Sequence, residues 1–249
     1  MKAKPEQRPS PRASMGAAMN TRTHPPQSAS ERRGLERVAV PVSRVPVAVI
    51  GVVSGVAIAV LVVLGILQRA GYPLLEGTNL DAEVSMATWF SAALLWTAAG
   101  CWLLVAVTAR PRTAAVWIWW PVLAWLALDE GLALHERLER WSGIDWQVLY
   151  LPVIGLAAAA WWGVVRRQWT QRPTVVLLVT AAVAWATALL LEVIQNWGGS
   201  PVAAVVYDPA MVTEEALEMV GSTVLLMAAI LALRRSVQSE SQGDAKPST

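Results

Sequence analysis

The chain has 249 residues, of which 55% are hydrophobic and only 15% charged, and its mean hydropathy is positive. These values exclude an ordinary soluble domain and are typical of a membrane protein. Nine of the 20 Lys and Arg residues lie in the first 44 positions and most of the others mark helix ends, so the net charge of +2 does not indicate a nucleic-acid partner.

The chain begins with a polar segment. Residues 1–44 are rich in Pro, Ser, Arg and Gln, and such a segment cannot bury enough apolar surface to fold alone. We predict a disordered, basic cytoplasmic tail here, a single transmembrane helical domain at 45–235, and a second disordered cytoplasmic tail at 236–249.

The central domain is predicted to be all-α, an integral membrane bundle of about six transmembrane helices. Each span is an apolar stretch of the length that crosses a hydrocarbon layer of roughly 30 Å. In the last span, Asp208 is predicted to cap the helix and Pro209 to occupy its first position. The six spans are predicted at about 45–67, 87–109, 114–134, 148–165, 174–195 and 214–233.

The basic residues predict the orientation of this bundle. Alternate tails and loops carry seventeen Lys and Arg residues on one side and three on the other. Basic segments stay in the cytoplasm, so we predict a protein of the bacterial cytoplasmic membrane with both termini inside.

Acidic residues gather at the opposite, extracytoplasmic end. The third predicted span runs into "LALDEGLALHERLERW" at 126–141, and acids also end the fifth span and begin the sixth. Within this segment, Arg140 is predicted to pair with Glu136, and His135 with Glu139, each four residues apart on a helix.

Carboxylates near hydrocarbon are costly and normally face a protein interior or a wet cavity. No Lys or Arg lies inside the predicted spans to balance them, and a hard divalent cation with carboxylate and imidazole ligands would do so. A protonated or proton-conducting cluster, or acids that only set helix ends, are the alternatives. The predicted metal ligands are Asp129, Glu130, His135, Glu136, Glu192, Glu215 and Glu218.

Tryptophan is the other unusual feature, with 14 residues against one Phe and three Tyr. Most fit the aromatic belts found at membrane–water interfaces. Four lie deeper, and we predict that they line an aromatic-walled substrate pocket below the acids. They are Trp89, Trp96, Trp125 and Trp185.

Three segments, "LALDEGLALHERL", "LLLEVIQN" and "EEALEMVGSTVLL", resemble those of uncharacterised bacterial multi-pass membrane proteins that carry L-D-E…H-E and E-E-x-x-E-M-x-G motifs. The resemblance covers roughly residues 85–233 and implies a shared bundle. The resemblance emphasises the seven predicted ligands but does not imply any particular activity.

The leading functional prediction is a membrane-embedded enzyme that binds a divalent metal and acts on a lipid or isoprenoid-like substrate. The metal would polarise the substrate or activate a water, while Glu218 or Glu130 would move the proton. The alternatives are a metal-independent polyene cyclase started by a protonated acid, a cation or proton transporter, and a non-catalytic assembly or sensor subunit.

Overall fold

The computed structural model describes residues 46–72, 76–80, 82, 85–109, 112–195 and 201–244, with the side chains of 201–208 and 240–244 outside this description. Within these residues the fold is all-helical, as predicted, with seven α-helices and no strand. The helices are α1 (Val47–Arg69), α2 (Met86–Thr108), α3 (Ala114–Leu132), α4 (Leu134–Ser142), α5 (Trp146–Arg167), α6 (Arg172–Gln195) and α7 (Pro201–Asp244), with a 3-10 turn at Glu76–Thr78.

Five helices of the described chain are long and apolar enough to cross a membrane: α1, α2, α5, α6 and the Pro209–Ser239 part of α7. The predicted third span, now α3, is not among them. Its 19 residues would reach about 28 Å, but four tryptophans, Pro121 and two acidic residues lower its hydropathy. The predicted bundle of about six spans therefore corresponds to five helices with the length and composition of a membrane span, together with α3, which is shorter and less apolar.

Helix α7 forms the centre of the bundle and packs against α1, α2 and α6. Helix α2 also packs on α3, and α3 on α5, around a core that includes the fully buried side chains of Trp102, Leu123 and Leu178. Helices α5 and α6 meet only sparsely. A space is therefore left between α3, α5, α6 and α7, and the functional site lies in it.

The ends of α7 differ from the prediction. The helix begins at Pro201, so Pro209 lies inside it and the predicted start at Asp208 is wrong. It continues to Asp244, past the predicted start of a disordered tail at residue 236. The Ser236 hydroxyl bonds to the Leu233 carbonyl and is buried next to Thr108, which ties this last part of α7 to the bundle. The predicted tail at 1–44 lies outside the described residues.

The contact between α3 and α5 depends on Gly163. A Cβ atom added there would lie 2.5 Å from the Cβ of Ala115, which sits directly on the α3 backbone and cannot turn away. Gly155, two turns earlier on α5, would meet nothing within 4 Å. The first glycine therefore permits a close helix approach that the second does not need.

We expect Gly163→Ala to lower the stability of the detergent-purified protein by about 1–3 kcal/mol through overpacking. Gly155→Ala is the matched control, and it should leave the melting temperature unchanged or raise it, since alanine favours a helix by about 1 kcal/mol. Equal melting temperatures for both variants would contradict the close α3–α5 contact.

Candidate functional site

The site begins where the chain turns between α3 and α4, at Ala133. This residue has φ 46° and ψ 51°, a left-handed conformation that costs an L residue roughly 1–2 kcal/mol. Two bonds to Asp129 hold the turn, because its carbonyl accepts from the Ala133 N–H and its Oδ1 accepts from the backbone N–H of His135 at 2.9 Å. The helix predicted at about 114–134 is present and ends at Leu132, and the turn places Asp129 and Glu136 on two different helices.

The turn brings His135 back onto Asp129. The distance from His135 Nδ1 to Asp129 Oδ2 is 3.0 Å, and the Tyr150 hydroxyl donates to Asp129 Oδ1 at 2.6 Å. Asp129 is 8% exposed. With Nδ1 engaged by the carboxylate, Nε2 is the ring nitrogen that a ligand can use.

The predicted pair between His135 and Glu139 is wrong. That spacing assumes that His135 is free to reach along α4, whereas the turn directs its ring toward Asp129 on α3. Glu139 accepts instead from the backbone N–H of Trp146 at 3.3 Å, where α5 begins. The other predicted pair is confirmed, with Arg140 3.7 Å from Glu136.

Burial alone would lower the pKa of His135. The hydrogen bond and charge of Asp129, together with the charges of Glu192 and Glu136, outweigh burial and leave the pKa above its ordinary value. The pair therefore favours an imidazolium beside a carboxylate.

Trp146 closes the site on the side of α5 and α6. Its ring lies 4.8 Å from the His135 ring, and its Nε1 donates to Glu192 Oε1 at 2.8 Å. The sequence pattern of acidic residues does not include Trp146, which fits an interface belt by its position, or Tyr150. Their spacing of four residues on α5, with both facing the predicted acids, is the signal that would have found them.

These side chains lie at one end of a cavity of about 600 Å³. All seven predicted ligands line this cavity, with Gln195 and Glu214, which hydrogen-bond each other, beside them. Deeper in the bundle the walls become apolar. They include Trp119, Leu123, Leu126, Val153, Ala157, Trp161, Ala181, Ala182, Trp185, Leu189 and Leu225.

Glu130 and Glu218 meet inside the cavity. Glu130 lies within hydrogen-bonding reach of Ser91 on α2 and Glu218 on α7, and Ser91 also bonds Ser222 at 2.8 Å. Two carboxyl groups that touch in a half-buried site either share a proton or bind a cation. This contact joins the two residues predicted to transfer a proton.

The predicted metal ligands share a cavity but are not arranged as one coordination shell. Among the described residues, no three His, Cys, Asp or Glu side chains form a group that could hold a metal ion. Asp129 is occupied by His135 and Tyr150, Glu192 by Trp146, and Glu136 by Arg140. The geometry lends the metal prediction no support.

Of the four tryptophans predicted to line the pocket, only one lies in the described cavity wall. Trp185 lines the cavity, but Trp89, Trp96 and Trp125 are 57%, 46% and 41% exposed on the outer surface of the bundle. Trp89 and Trp96 do share one face of α2, and that face points outward.

The raised pKa of His135 predicts how its contribution to stability depends on pH. A group whose folded pKa is raised stabilises the fold fully below its unfolded value, about 6.5 for histidine, and loses this contribution as pH rises through the folded pKa. We therefore expect the melting temperature of wild type to exceed that of His135→Gln most near pH 6, with the gap narrowing above neutral pH. A gap that widens with pH would contradict the pairing with Asp129.

Comparison with known proteins places the chain at the level of a family. No curated protein and no solved structure matches it. A family model described as a domain of unknown function (DUF8692) matches residues 43–233. The chain belongs to the DUF8692 family.

Proposed function

We propose that this protein is a membrane-embedded enzyme that performs acid–base chemistry on an apolar, membrane-derived substrate. One observation carries the proposal: the His135 ring, oriented by a buried carboxylate, lies at the polar end of a cavity whose deeper walls are apolar. Enzyme sites combine a mostly apolar pocket with a few convergent polar groups in this way.

The chemistry follows from the hydrogen bonds of His135. Asp129 fixes the ring through Nδ1 and stabilises its protonated form, so Nε2 is the atom that exchanges a proton with the substrate. Tyr150 and the backbone N–H of His135 hold Asp129 in turn. The Glu130–Glu218 pair, which lines the same cavity, supplies a second proton donor or acceptor.

The walls of the cavity select the substrate class. The described lining residues contain no Lys or Arg but several carboxylates, which would repel a phosphate or sulfate head. A lipid or isoprenoid-like molecule with a neutral or cationic polar end is compatible with these carboxylates. A divalent cation held by Glu130 and Glu218 is the second form of the proposal, motivated by the contact between the two carboxyl groups.

A transporter finds less support. Beyond the Ser91–Ser222 pair, α7 continues with Leu225, Leu226, Ala229 and Ile230 in the buried core, so the acids lead into packed apolar side chains. By the distribution of basic residues, we place the protein in the bacterial cytoplasmic membrane with both termini inside and the polar end of the cavity outside.

The test is turnover of the lipids of the producing organism. Purified protein in liposomes made from those lipids should convert one lipid species, detected by mass spectrometry, and His135→Gln and Asp129→Asn should lower this rate about 100-fold or more. Thr187→Val, which removes an exposed hydroxyl outside the cavity on α6, is the control and should keep the rate. Wild-type rates in His135→Gln would overturn the proposal, and loss of turnover on chelation would favour its metal-dependent form.

A further inference from the structure

We infer that the cavity opens sideways between α5 and α6, and that a single hydrocarbon chain enters the site through this opening from the surrounding membrane. The inference rests on the proposed function for the chemistry at the polar end. It adds the route of entry and the shape of the substrate.

Part of the cavity lining is exposed. Ala158 and Ile154 on α5, and Ala186 on α6, line the cavity and are exposed rather than buried. We take these side chains on two neighbouring helices as the rim of the opening. Helices α5 and α6 also meet only sparsely, so we place the opening along the seam between them.

Two hydrogen bonds mark the ends of the opening. Near the polar end, Trp146 Nε1 donates to Glu192 Oε1 at 2.8 Å, and at the far end Trp161 Nε1 donates to the Leu178 carbonyl at 3.1 Å. Between Leu178 and Glu192, α6 rises by about 21 Å at 1.5 Å per residue. The slot is therefore long and parallel to the helices, as chains in a bilayer are.

The slot is walled by small side chains. On α5 these are Ala157 and Ala158, and on α6 they are Ala181, Ala182 and Ala186. Helices that cross a membrane normally bring small residues together for close contact, but here they stand beside a cavity of about 600 Å³. That volume lies in the range of pockets for one small ligand, so we assign one chain to it.

Only an apolar occupant suits this location. The outer surface next to the slot carries Leu151, Leu156, Val179 and Val183, which are 62%, 49%, 41% and 60% exposed, so the slot faces lipid rather than water. A chain lying in it would reach from lipid to His135 without its polar end crossing the packed core.

The test uses a neutral long-chain alcohol with a diazirine in the middle of its chain, photolysed in membranes that contain the full-length protein. Peptide mapping should find the label on residues 153–158 and 181–189. Ala158→Trp and Ala182→Trp should reduce this labelling at least five-fold. Ala159→Trp and Val183→Trp place the same side chain on exposed neighbouring positions outside the cavity and should leave the labelling unchanged.

Melting temperatures identify any variant that fails to fold, and Ala182→Leu then serves as the milder replacement for Ala182→Trp. Labelling that is equal in the slot and control variants, or that occurs only on the outer faces of the helices, would overturn the inference. Labelling does not need His135. If the slot is labelled normally but His135→Gln keeps full turnover, the proposed function is overturned and the opening stands. If His135→Gln loses turnover but Ala158→Trp does not affect labelling, the opening is overturned and the proposed function stands.

Discussion

Asp129→Ala is expected to cost the fold about 3 kcal/mol or more, the largest loss of stability at any single site residue. The substitution removes the acceptor for three groups at once: the Tyr150 hydroxyl, the His135 ring and the His135 backbone N–H. Breaking a buried ion pair by removing one partner typically costs about 3–5 kcal/mol. At about 2–4 °C per kcal/mol for a chain of this size, the melting temperature should fall by roughly 6 °C or more.

Asp145→Ala is the control, since Asp145 caps α5 by accepting from the Gln147 N–H at 2.8 Å but is exposed. Loss of such a cap costs about 1 kcal/mol. Asp129→Asn should fall between the two, because the amide oxygen still accepts from Tyr150 while the charge that holds the His135 imidazolium is gone. If Asp129→Ala and Asp145→Ala have the same melting temperature, the junction of α3 and α4 does not depend on the buried carboxylate.

The common cavity of the acids was predictable because depth along the predicted spans and helical periodicity are enough to bring these residues together. Acids at the ends of three apolar segments must meet at one end of a bundle, and the cost of exposing them to lipid directs them inward. Asp129, Glu192 and Glu218 lie in one cavity for this reason.

The pairing within the cavity was not predictable in the same way. It follows from the left-handed turn at Ala133, and an alanine carries no signal for that conformation, which glycine or asparagine would have provided. Without the turn, helical spacing assigns His135 to Glu139, and Asp129 is left to a metal.

The tryptophans show a second limit of prediction from the sequence. The period of a helix tells which residues share a face, but the neighbours of the helix decide where the face points. Trp89 and Trp96 share a face of α2 that lies away from α3 and α7, and so away from the cavity. Trp185, in contrast, packs against the bundle. A Cβ atom on Gly221 would lie 2.5 Å from the Cδ1 atom of Trp185. Gly221, the last residue of the E-E-x-x-E-M-x-G motif, therefore makes room for this side chain in the cavity wall.

Glu218→Gln is expected to separate stability from activity, with turnover falling about 100-fold or more while the protein melts at the wild-type temperature or up to about 4 °C higher. Glu218 lies within hydrogen-bonding reach of Glu130 in a half-buried site, and two carboxyl groups there avoid repulsion either by sharing a proton or by binding a cation. Where they share a proton, one carboxyl group donates a hydrogen bond to the other. A glutamine amide can donate the same hydrogen bond permanently, so the contact no longer depends on pH, but it cannot give up a proton to a substrate.

The stability gain of Glu218→Gln over wild type should therefore be larger at pH 8 than at pH 5. Glu215→Gln, at a cavity-lining residue three positions earlier on the same helix, is the matched control and should keep most of the turnover. If a divalent cation holds the pair instead, chelation lowers the melting temperature of wild type and Glu218→Gln removes that sensitivity, because the variant lacks one of the two charges that bind the ion. Wild-type turnover in Glu218→Gln would show that neither a proton nor a cation at this position takes part in the reaction.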